Sequence, residues 1–440
     1  MVIKLLILGF TVVAMLLAVN RVPLRYNLRN LSARWRTTIM TAAAFTAVIA
    51  LVTVMLAFVA GMQRLTQSTG NPCNLMVLAD GATDEAFSNL AVGDLADIEH
   101  QPYVQQLDGR PFSSRETFVV VNQPVLNYHG GGPKRRFLQV RGIDDPLLAA
   151  RVHDMRLLPD GVWFSSSGVQ QLSGASEGAT AVQAVLGEGV ARELGRDRSD
   201  EELARAKNRS RLDVGDEFFL GGRTWIVSGV LKSTGSTFNS EIWAKRSLVA
   251  TTFGKDTYTT LVLRTPSPAV ARTFRKYLSE DYEKAAVNAQ VETDYYSNLS
   301  ETSEQFLYAI GFLAVVMSVG GVFGVMNTMF AAISQRTKDI GVLQLLGYSR
   351  RQILISFLLE SLVIALIGGL MGCALGSLAH GWQATSVVSS GAGGKSVALE
   401  LTVEAWILAV GILITLGMGL LGGLLPAGMA MNKRAIEALR

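Results

Sequence analysis

Five apolar runs, separated by segments of very unequal length, set the layout of the chain. Val2–Val19, Thr38–Gly61, Phe306–Ile333, Ile353–His380 and Val403–Ala427 are each long enough to cross about 30 Å of hydrocarbon at about 1.5 Å of rise per residue. The last three follow one another through short loops. Between the second and third lie about 240 mostly polar residues, enough for one large or two small domains. The pattern predicts an α-helical integral membrane protein with four core helices, one extra N-terminal helix and a large extracytoplasmic α+β domain. The first run is the shortest and contains Lys4, so a cleaved signal peptide stays open beside the extra helix.

The expected division follows the runs. Residues 1–20 form the extra membrane helix, 21–37 an Arg-rich cytoplasmic segment and 38–61 a membrane helix. Residues 62–305 form the outer domain with its stalk. A membrane helix (306–333), a cytoplasmic loop (334–352) and a second helix (353–380) come next. A short outer loop (381–402), a last membrane helix (403–427) and a cytoplasmic tail (428–440) complete the chain.

Within the outer segment the periodicity is mixed. FVVVN, FLQVRGID, RTWIVSGVL and YTTLVLRT are β-branched runs bounded by Gly, Asn and Pro, which predicts strands. TDEAFSNLAVGDLADIEH, AVLGEGVARELG and SPAVARTFRKYLSEDYEKA read as helices. In the last, Val270, Phe274, Tyr277, Leu278 and Tyr282 share one face. Gly221-Gly222 supplies the backbone freedom for a tight hairpin, and DRSDEELARAKNRS reads as an exposed charged insertion. The segment from about Tyr295 to Ala309 reads as one helix running into the third apolar run, capped by Thr293-Asp294.

Charge orients this layout. Arg21, Arg25, Arg29, Arg34 and Arg36 follow the first run without an acid, and Lys433, Arg434 and Arg440 close the chain. The loop after the third run carries Arg336, Lys338, Arg350 and Arg351 against Asp339, whereas Trp382–Thr402 carries only Lys395 and Glu400. Basic residues favour the cytoplasmic side, so the large domain and the short loop lie outside. The same arginines account for the net charge of +4, which therefore calls for no nucleic acid. The four histidines have no metal-ligand spacing. Cys73 and Cys373 are expected at different sides or depths, so neither a disulfide nor a metal site is predicted. No G-x-S-x-G or H-E-x-x-H occurs. Ser389–Ser396 (SSGAGGKS) lacks the first glycine of a phosphate loop and lies in an outer loop. Glu360 is the one ionisable residue at depth that invites a role, read as a structural acid near the interface.

The loop QRTKDIGVLQLLGYSRRQ is too short to fold alone. Its arginines alone would make it an ordinary topology-setting loop. Its order is more specific: Asp339-Ile340-Gly341, Leu346-Gly347 six positions on, then Arg350-Arg351 before a helix. Ile333, Ile340, Leu343 and Leu346 are expected to face the membrane or helix ends. Gln335, Arg336, Lys338, Asp339, Arg350 and Arg351 are left for water or a partner, and Gly341 and Gly347 break the helix or allow close approach. This loop and the tail GGLLPAGMAMNKRAIEALR, in which Pro426 ends or kinks the last helix, resemble the MacB/FtsX-type permeases of ABC transporters. The order VLGEGVARELG, VGD, GG and the V-x-GV segment in the outer stretch resembles the MacB-type periplasmic domain.

The resemblance implies a non-catalytic permease subunit in the inner membrane of a bacterial cell. ATP and Mg would sit on a separate ATP-binding subunit, docked on Gln335, Arg336, Thr337, Lys338, Asp339, Ile340, Gly341, Leu343, Leu346, Gly347, Arg350 and Arg351. It also implies a homodimer, a periplasmic adaptor as a further partner, and export or extraction of a substrate. An FtsX-like signalling module that activates an outer partner such as a cell-wall hydrolase is the alternative. Gly320 and Gly324, Gly368, Gly372 and Gly376, and Gly419 and Gly423 recur at four-residue spacing, which lets helices approach closely. Packing within one subunit and a dimer or gate interface both fit that pattern.

Overall fold

The computed structural model describes residues 11, 13–18, 29, 35–67, 69–82, 84–125, 134–172, 180–233, 236–298, 301–335, 337–390 and 393–432. Most of the first apolar run, the Arg-rich segment apart from Arg29 and residues 35–37, Arg336 and the tail from Lys433 lie outside them. Two compact units divide the chain: Met1–Gly61 with Glu304–Trp382 and Glu400–Arg440, and Met62–Ser303 with Gln383–Leu399. Among the described residues four helices are long and apolar enough to span a membrane, over Trp35–Arg64, Tyr308–Ala331, Arg350–Ser377 and Ala405–Met429. The first of them is α1 (Trp35–Gln67), which runs past the apolar stretch because its polar last turn keeps helical propensity.

The outer unit begins with β1 (Asn74–Ala79), a one-turn 3-10 helix at Glu85–Phe87 and α2 (Val92–Glu99). The single helix expected across TDEAFSNLAVGDLADIEH is therefore split. Asp84 takes the Ala86 N–H with its own carboxylate at 2.8 Å, a local bond that competes with helix continuation, and Leu90 bridges to Tyr258. Short β2 (Gln106–Leu107) and β3 (Arg110–Pro111) precede β4 (Ser113–Pro124), β5 (Arg135–Ile143) and α3 (Pro146–Val152). Asp145 caps α3 and Pro146 opens it, the arrangement that removes an orphan donor.

Next come β6 (Val169–Gln171), β7 (Thr180–Leu186), α4 (Glu188–Gly195) and α5 (Asp200–Arg205). Ala184-Val185-Leu186, read as the start of a helix, instead ends a strand; the helix starts after Gly187. The exposed charged segment holds α5, which opens on a Ser199/Glu202 capping box. The hairpin of β8 (Glu217–Leu220) and β9 (Arg223–Val230) turns on Gly221 and Gly222 at φ +60° and +78°, as a type I′ turn demands. Then follow β10 (Glu241–Lys245), α6 (Arg246–Phe253), β11 (Thr260–Arg264), α7 (Pro268–Glu280), β12 (Val287–Val291) and α8 (Glu292–Asn298). Because α8 starts at Glu292, Thr293 and Asp294 sit inside its first turn instead of capping it. Residues 299–300, where the single stalk helix was expected to continue, lie outside the described residues.

One sheet organises this unit, in the order β12-β1-β11-β4-β5-β10-β7-β9-β8 with β6 on β7. Its pairs are antiparallel except β5–β10 and β7–β9. Helices α2 and α7 bury Leu95, Ile98, Phe274 and Leu278 against Leu75, Val77, Leu261 and Leu263. Helices α4 and α6 bury Val190, Leu194 and Val249 against Val140, Val182, Val227 and Ile242. Each such side chain contributes about 1.5–3 kcal/mol relative to exposure.

The membrane unit adds α9 (Glu301–Ser334), α10 (Thr337–Leu345), α11 (Arg350–Ser377) and α12 (Ala405–Asn432) to α1. Pro426 does not end α12, which continues past it to Asn432. The short outer loop holds β13 (Gln383–Ser390) paired with β14 (Gly393–Glu400), so Ser389-Ser390 and Gly393–Ser396 of the SSGAGGKS stretch fall on strands.

Candidate functional site

The loop between α9 and α11 is built by local chemistry. Thr337–Leu345 forms α10 with Gly341 inside it, buried beside Ile340, so Gly341 does not break the helix. Gly347 does end it, at φ +93°, the left-handed conformation that glycine adopts without strain. The Tyr348 N–H then reaches back to the Leu343 carbonyl at 3.1 Å and the Gly347 N–H to Gln344 at 3.1 Å, a Schellman-like close. Ser349 and Gln352 cap each other's backbone at the start of α11. The turn thus fixes the direction of α10 relative to α11 without help from a partner.

One side of α10 is anchored. Ile340 is buried in one cluster with Ile333, Ile353 and Phe357, and Leu343 and Tyr348 pack against it. The other side is bare: Val342, Leu345 and Leu346 are 46%, 68% and 70% exposed. Leu346, expected to face the membrane or helix ends, belongs to this outward group because Gly347 turns the chain immediately after it. Gln335, Arg350 and Arg351 are exposed. The backbone of Thr337, Lys338 and Asp339 is helical.

The glycines fall into two groups. A Cβ on Gly368 would come within 2.6 Å of the Ala42 carbonyl, one on Gly372 within 2.8 Å of the Thr46 carbonyl, and one on Gly376 within 2.6 Å of Thr53 Cβ. This stripe of α11 therefore seats α1, and Thr46 donates to the Gly368 carbonyl at 3.1 Å. Gly419 and Gly423 seat α12 against Ala365 and Ser361 of α11, and Ser361 donates to the Gly419 carbonyl at 2.9 Å. At Gly320 and Gly324 a Cβ would meet nothing within 4 Å. Their helix α9 also exposes Tyr308, Phe312, Val315, Val319 and Phe323. Glu360, 4% exposed, borders a cavity of about 30 Å³ with Thr37, Thr38, Thr41 and Thr328.

A second constellation lies inside the outer unit. Strand pairing sets Phe118, Arg141 and Trp243 side by side across β4, β5 and β10. Two residues along, the strand period brings Glu116 and Glu241 to the same face. The Arg141 guanidinium, fully buried, donates to both oxygens of Glu241 at 2.7 and 2.9 Å, to Glu85 at 2.6 Å and to Glu116. Phe118 and Trp243 stack on it, with ring centroids 4.9 and 5.2 Å away. His153 continues the chain, with Nε2 2.6 Å from Glu116 and Nδ1 3.1 Å from Glu292. Glu292, first residue of α8, accepts the Asn71 N–H at 2.8 Å and the Asn74 amide at 2.7 Å. The stretch after α1 and the root of α8 are thus clamped to one carboxylate.

Residues 311–435 match the FtsX-like permease C-terminal domain, and residues 38–281, over half of the chain, match the MacB-like periplasmic core domain. The chain belongs to the MacB/FtsX-type permease family. It is 28% identical over 235 residues to the uncharacterized ABC transporter permease YknZ of Bacillus subtilis (strain 168), covering 52% of this chain and 57% of that protein. It is 30% identical over 244 residues to the macrolide export ATP-binding/permease protein MacB of Hyphomonas neptunium, covering 51% and 35% respectively. The chain therefore spans about half or less of these relatives' lengths. The extracellular domain of YknZ aligns with a TM-score of 0.32 at 16% identity, over 49% of this chain and 99% of that domain. As a MacB/FtsX-type permease with four span-forming helices, the chain is a multi-pass membrane protein.

The sequence of this MacB/FtsX-type chain carries a signal for the Arg141 constellation that pattern reading passed over. Glu116, Arg141 and Glu241 are charges at positions of β4, β5 and β10 that are fully buried. A buried strand tolerates a charge only when it is paired. His153, set aside for lack of metal spacing, is the group that links the strands to α8. Burial opposes its charge, but Glu116, by charge and hydrogen bond, and Glu292 outweigh that and push its pKa up to about 10 from 6.5. Glu116 is raised by burial yet held below its usual value by His153 and Arg141.

A folded-state pKa above the unfolded one makes the charged imidazole stabilising below about pH 6.5. That contribution disappears as the pH climbs through about 10. The stability gap between the wild type and His153→Gln, measured by thermal unfolding of the full chain in detergent, should be widest near pH 6 and narrow steadily toward pH 10. A gap independent of pH would show that His153 is neutral in the folded protein.

Proposed function

We propose that this chain is the permease subunit of an ABC transporter in the inner membrane. ATP-driven motion of a separate ATPase would reach the outer domain through α10 and α11, for export or extraction of a substrate. The observation that carries this is the two-sided α10: one side locked into the membrane cluster by Ile340 and Leu343, the other presenting Val342, Leu345 and Leu346 beside Arg350 and Arg351. A helix fixed by a Gly347 turn and a Ser349 capping box passes on a push; a flexible loop would absorb it. ATP and Mg belong on the partner. The MacB relatives are named as ATP-binding/permease proteins, and this chain matches a MacB-like periplasmic core domain over 38–281 and an FtsX-like permease C-terminal domain over 311–435.

The same reading gives α9 to a second copy of the chain. A Cβ on Gly320 or Gly324 would meet nothing within 4 Å beyond its own helix backbone among the described residues, and small residues in a membrane helix allow a close crossing by another. A periplasmic adaptor fits the outer domain as a further partner.

The decisive measurement is co-purification in detergent with an ABC ATP-binding subunit co-expressed with this chain. Leu345→Asp with Leu346→Asp should cut the recovered ATPase about tenfold or more, as loss of apolar anchors at an interface does. Membrane insertion and thermal unfolding of the permease should stay unchanged, because both side chains are exposed. Full recovery of the ATPase with that double variant would refute the coupling role of α10.

A further inference from the structure

A cavity of about 220 Å³ opens in the outer domain beside the stretch that follows α1. Its inner wall is made by the buried side chains of His153, Phe238 and Leu231, and its rim carries Arg156 and Lys232. The Lys232 N–H donates to the Arg156 carbonyl at 2.8 Å, so the two residues lie side by side along the backbone. Neither side chain has an ion pair or a hydrogen bond among the described residues. The acid that lines the cavity, Asp154, is already taken: one oxygen accepts Arg264 at 2.9 Å and Asn71 at 2.7 Å. Two cations with no ion pair among the described residues therefore stand at the rim of a cavity whose lining mixes the apolar Phe238 and Leu231 with the polar His153, Ser236 and Asn239.

The geometry points to a binding site for a small anion with an apolar arm, a phosphate or carboxylate group attached to a short hydrocarbon or ring. Arg156 and Lys232 hold the anionic group, as charge-assisted donors do, and Phe238 and Leu231 receive the arm. Size narrows the class. The cavity lies below the roughly 300 Å³ at which drug-sized ligands begin, so it takes a headgroup-sized molecule.

Its position gives occupancy a consequence. The cavity is lined by Gly70, Asn71 and His153. Asn71 and His153 both bond to Glu292, the first residue of α8. A bound anion thus presses on the two backbone segments that this carboxylate clamps together. The site stands independently of the coupling role of α10, because it is tested first by binding.

The test uses the full chain in neutral detergent with three probes: inorganic phosphate, dihexanoyl phosphatidic acid and, as the zwitterionic control, dihexanoyl phosphatidylcholine. Isothermal titration should show the phosphatidic acid bound more tightly than the phosphatidylcholine. Arg156→Glu with Lys232→Glu should weaken it about a hundredfold, about tenfold for each charge-assisted hydrogen bond removed. Unfolding of that variant should match the wild type, since both side chains are exposed. Tighter binding of the phosphatidic acid than of inorganic phosphate would support the apolar arm; equal affinity for the two would show that no arm is received and would overturn that part of the assignment. Equal binding of the zwitterion, undiminished binding to the double variant, or no binding of either anion would each overturn the assignment.

Discussion

Arg141→Met should unfold the outer domain, or leave it at the margin, while the membrane helices still insert. The side chain is fully buried and donates to three carboxylates, Glu85, Glu116 and Glu241. Methionine restores most of the volume and none of the charge, so Glu116 would keep His153 while Glu85 and Glu241 would lose their ion pairs with Arg141. Removing one partner of a buried pair costs about 3–5 kcal/mol, and here three acids share the missing partner. Domains are stable by about 5–15 kcal/mol, so one substitution consumes much of that margin. Aromatic stacking on Phe118 and Trp243 goes as well. Limited proteolysis of the full chain in detergent is the direct measurement. Fragments ending within residues 74–291 should appear at protease levels that leave the wild type intact. Adding Glu241→Met to the variant should restore part of the resistance, because it removes one stranded acid. Wild-type resistance in the single variant would show that the cluster does not hold the domain together.

What the sequence displayed and what it concealed separate along physical lines. The spans were legible because hydrocarbon thickness sets a length that composition alone reveals. Gly221-Gly222 was legible for a related reason: turn chemistry is local, whereas the equally local Ser349-x-x-Gln352 box was passed over. AVL before Gly187 deceived for the same reason. Three residues that suit either a strand or a buried helix carry no period of their own, and pairing with β10 and β9 decided them.

The Arg141 cluster was harder to see. Its partners lie 56, 25 and 100 positions away in the chain, so no window contains them. The hint was energetic: a charge in a buried strand demands company. The coupling loop was recognisable by its motif, but its outward face was not. Only the positive φ at Gly347 shows that Leu346 turns away from the bundle with Leu345.

The two glycine groups lead to opposite outcomes for the same substitution. Gly372→Leu should wreck the packing of one chain, whereas Gly320→Leu should leave it untouched. At Gly372 even a Cβ would lie 2.8 Å from the Thr46 carbonyl and 2.8 Å from Ile49 Cβ, with the Ala50 nitrogen at 3.1 Å. Two of those three atoms are backbone of α1, which cannot yield by a rotamer change. The helices must separate, and the Thr46 bond to the Gly368 carbonyl stretches with them. Overpacking of this kind costs about 1–3 kcal/mol, and backbone obstruction places Gly372→Leu at the upper end. A Cβ at Gly320 meets nothing within 4 Å beyond its own helix backbone among the described residues. The effect of a leucine there is confined to whatever lies against α9, lipid or a second copy. Thermal unfolding in detergent should therefore drop for Gly372→Leu and hold for Gly320→Leu. Size-exclusion chromatography with light scattering should show Gly320→Leu shifted from dimer to monomer. A Gly320→Leu chain that stays dimeric would assign the bare face of α9 to lipid, and a Gly372→Leu chain as stable as the wild type would mean that α1 and α11 do not pack together at this stripe.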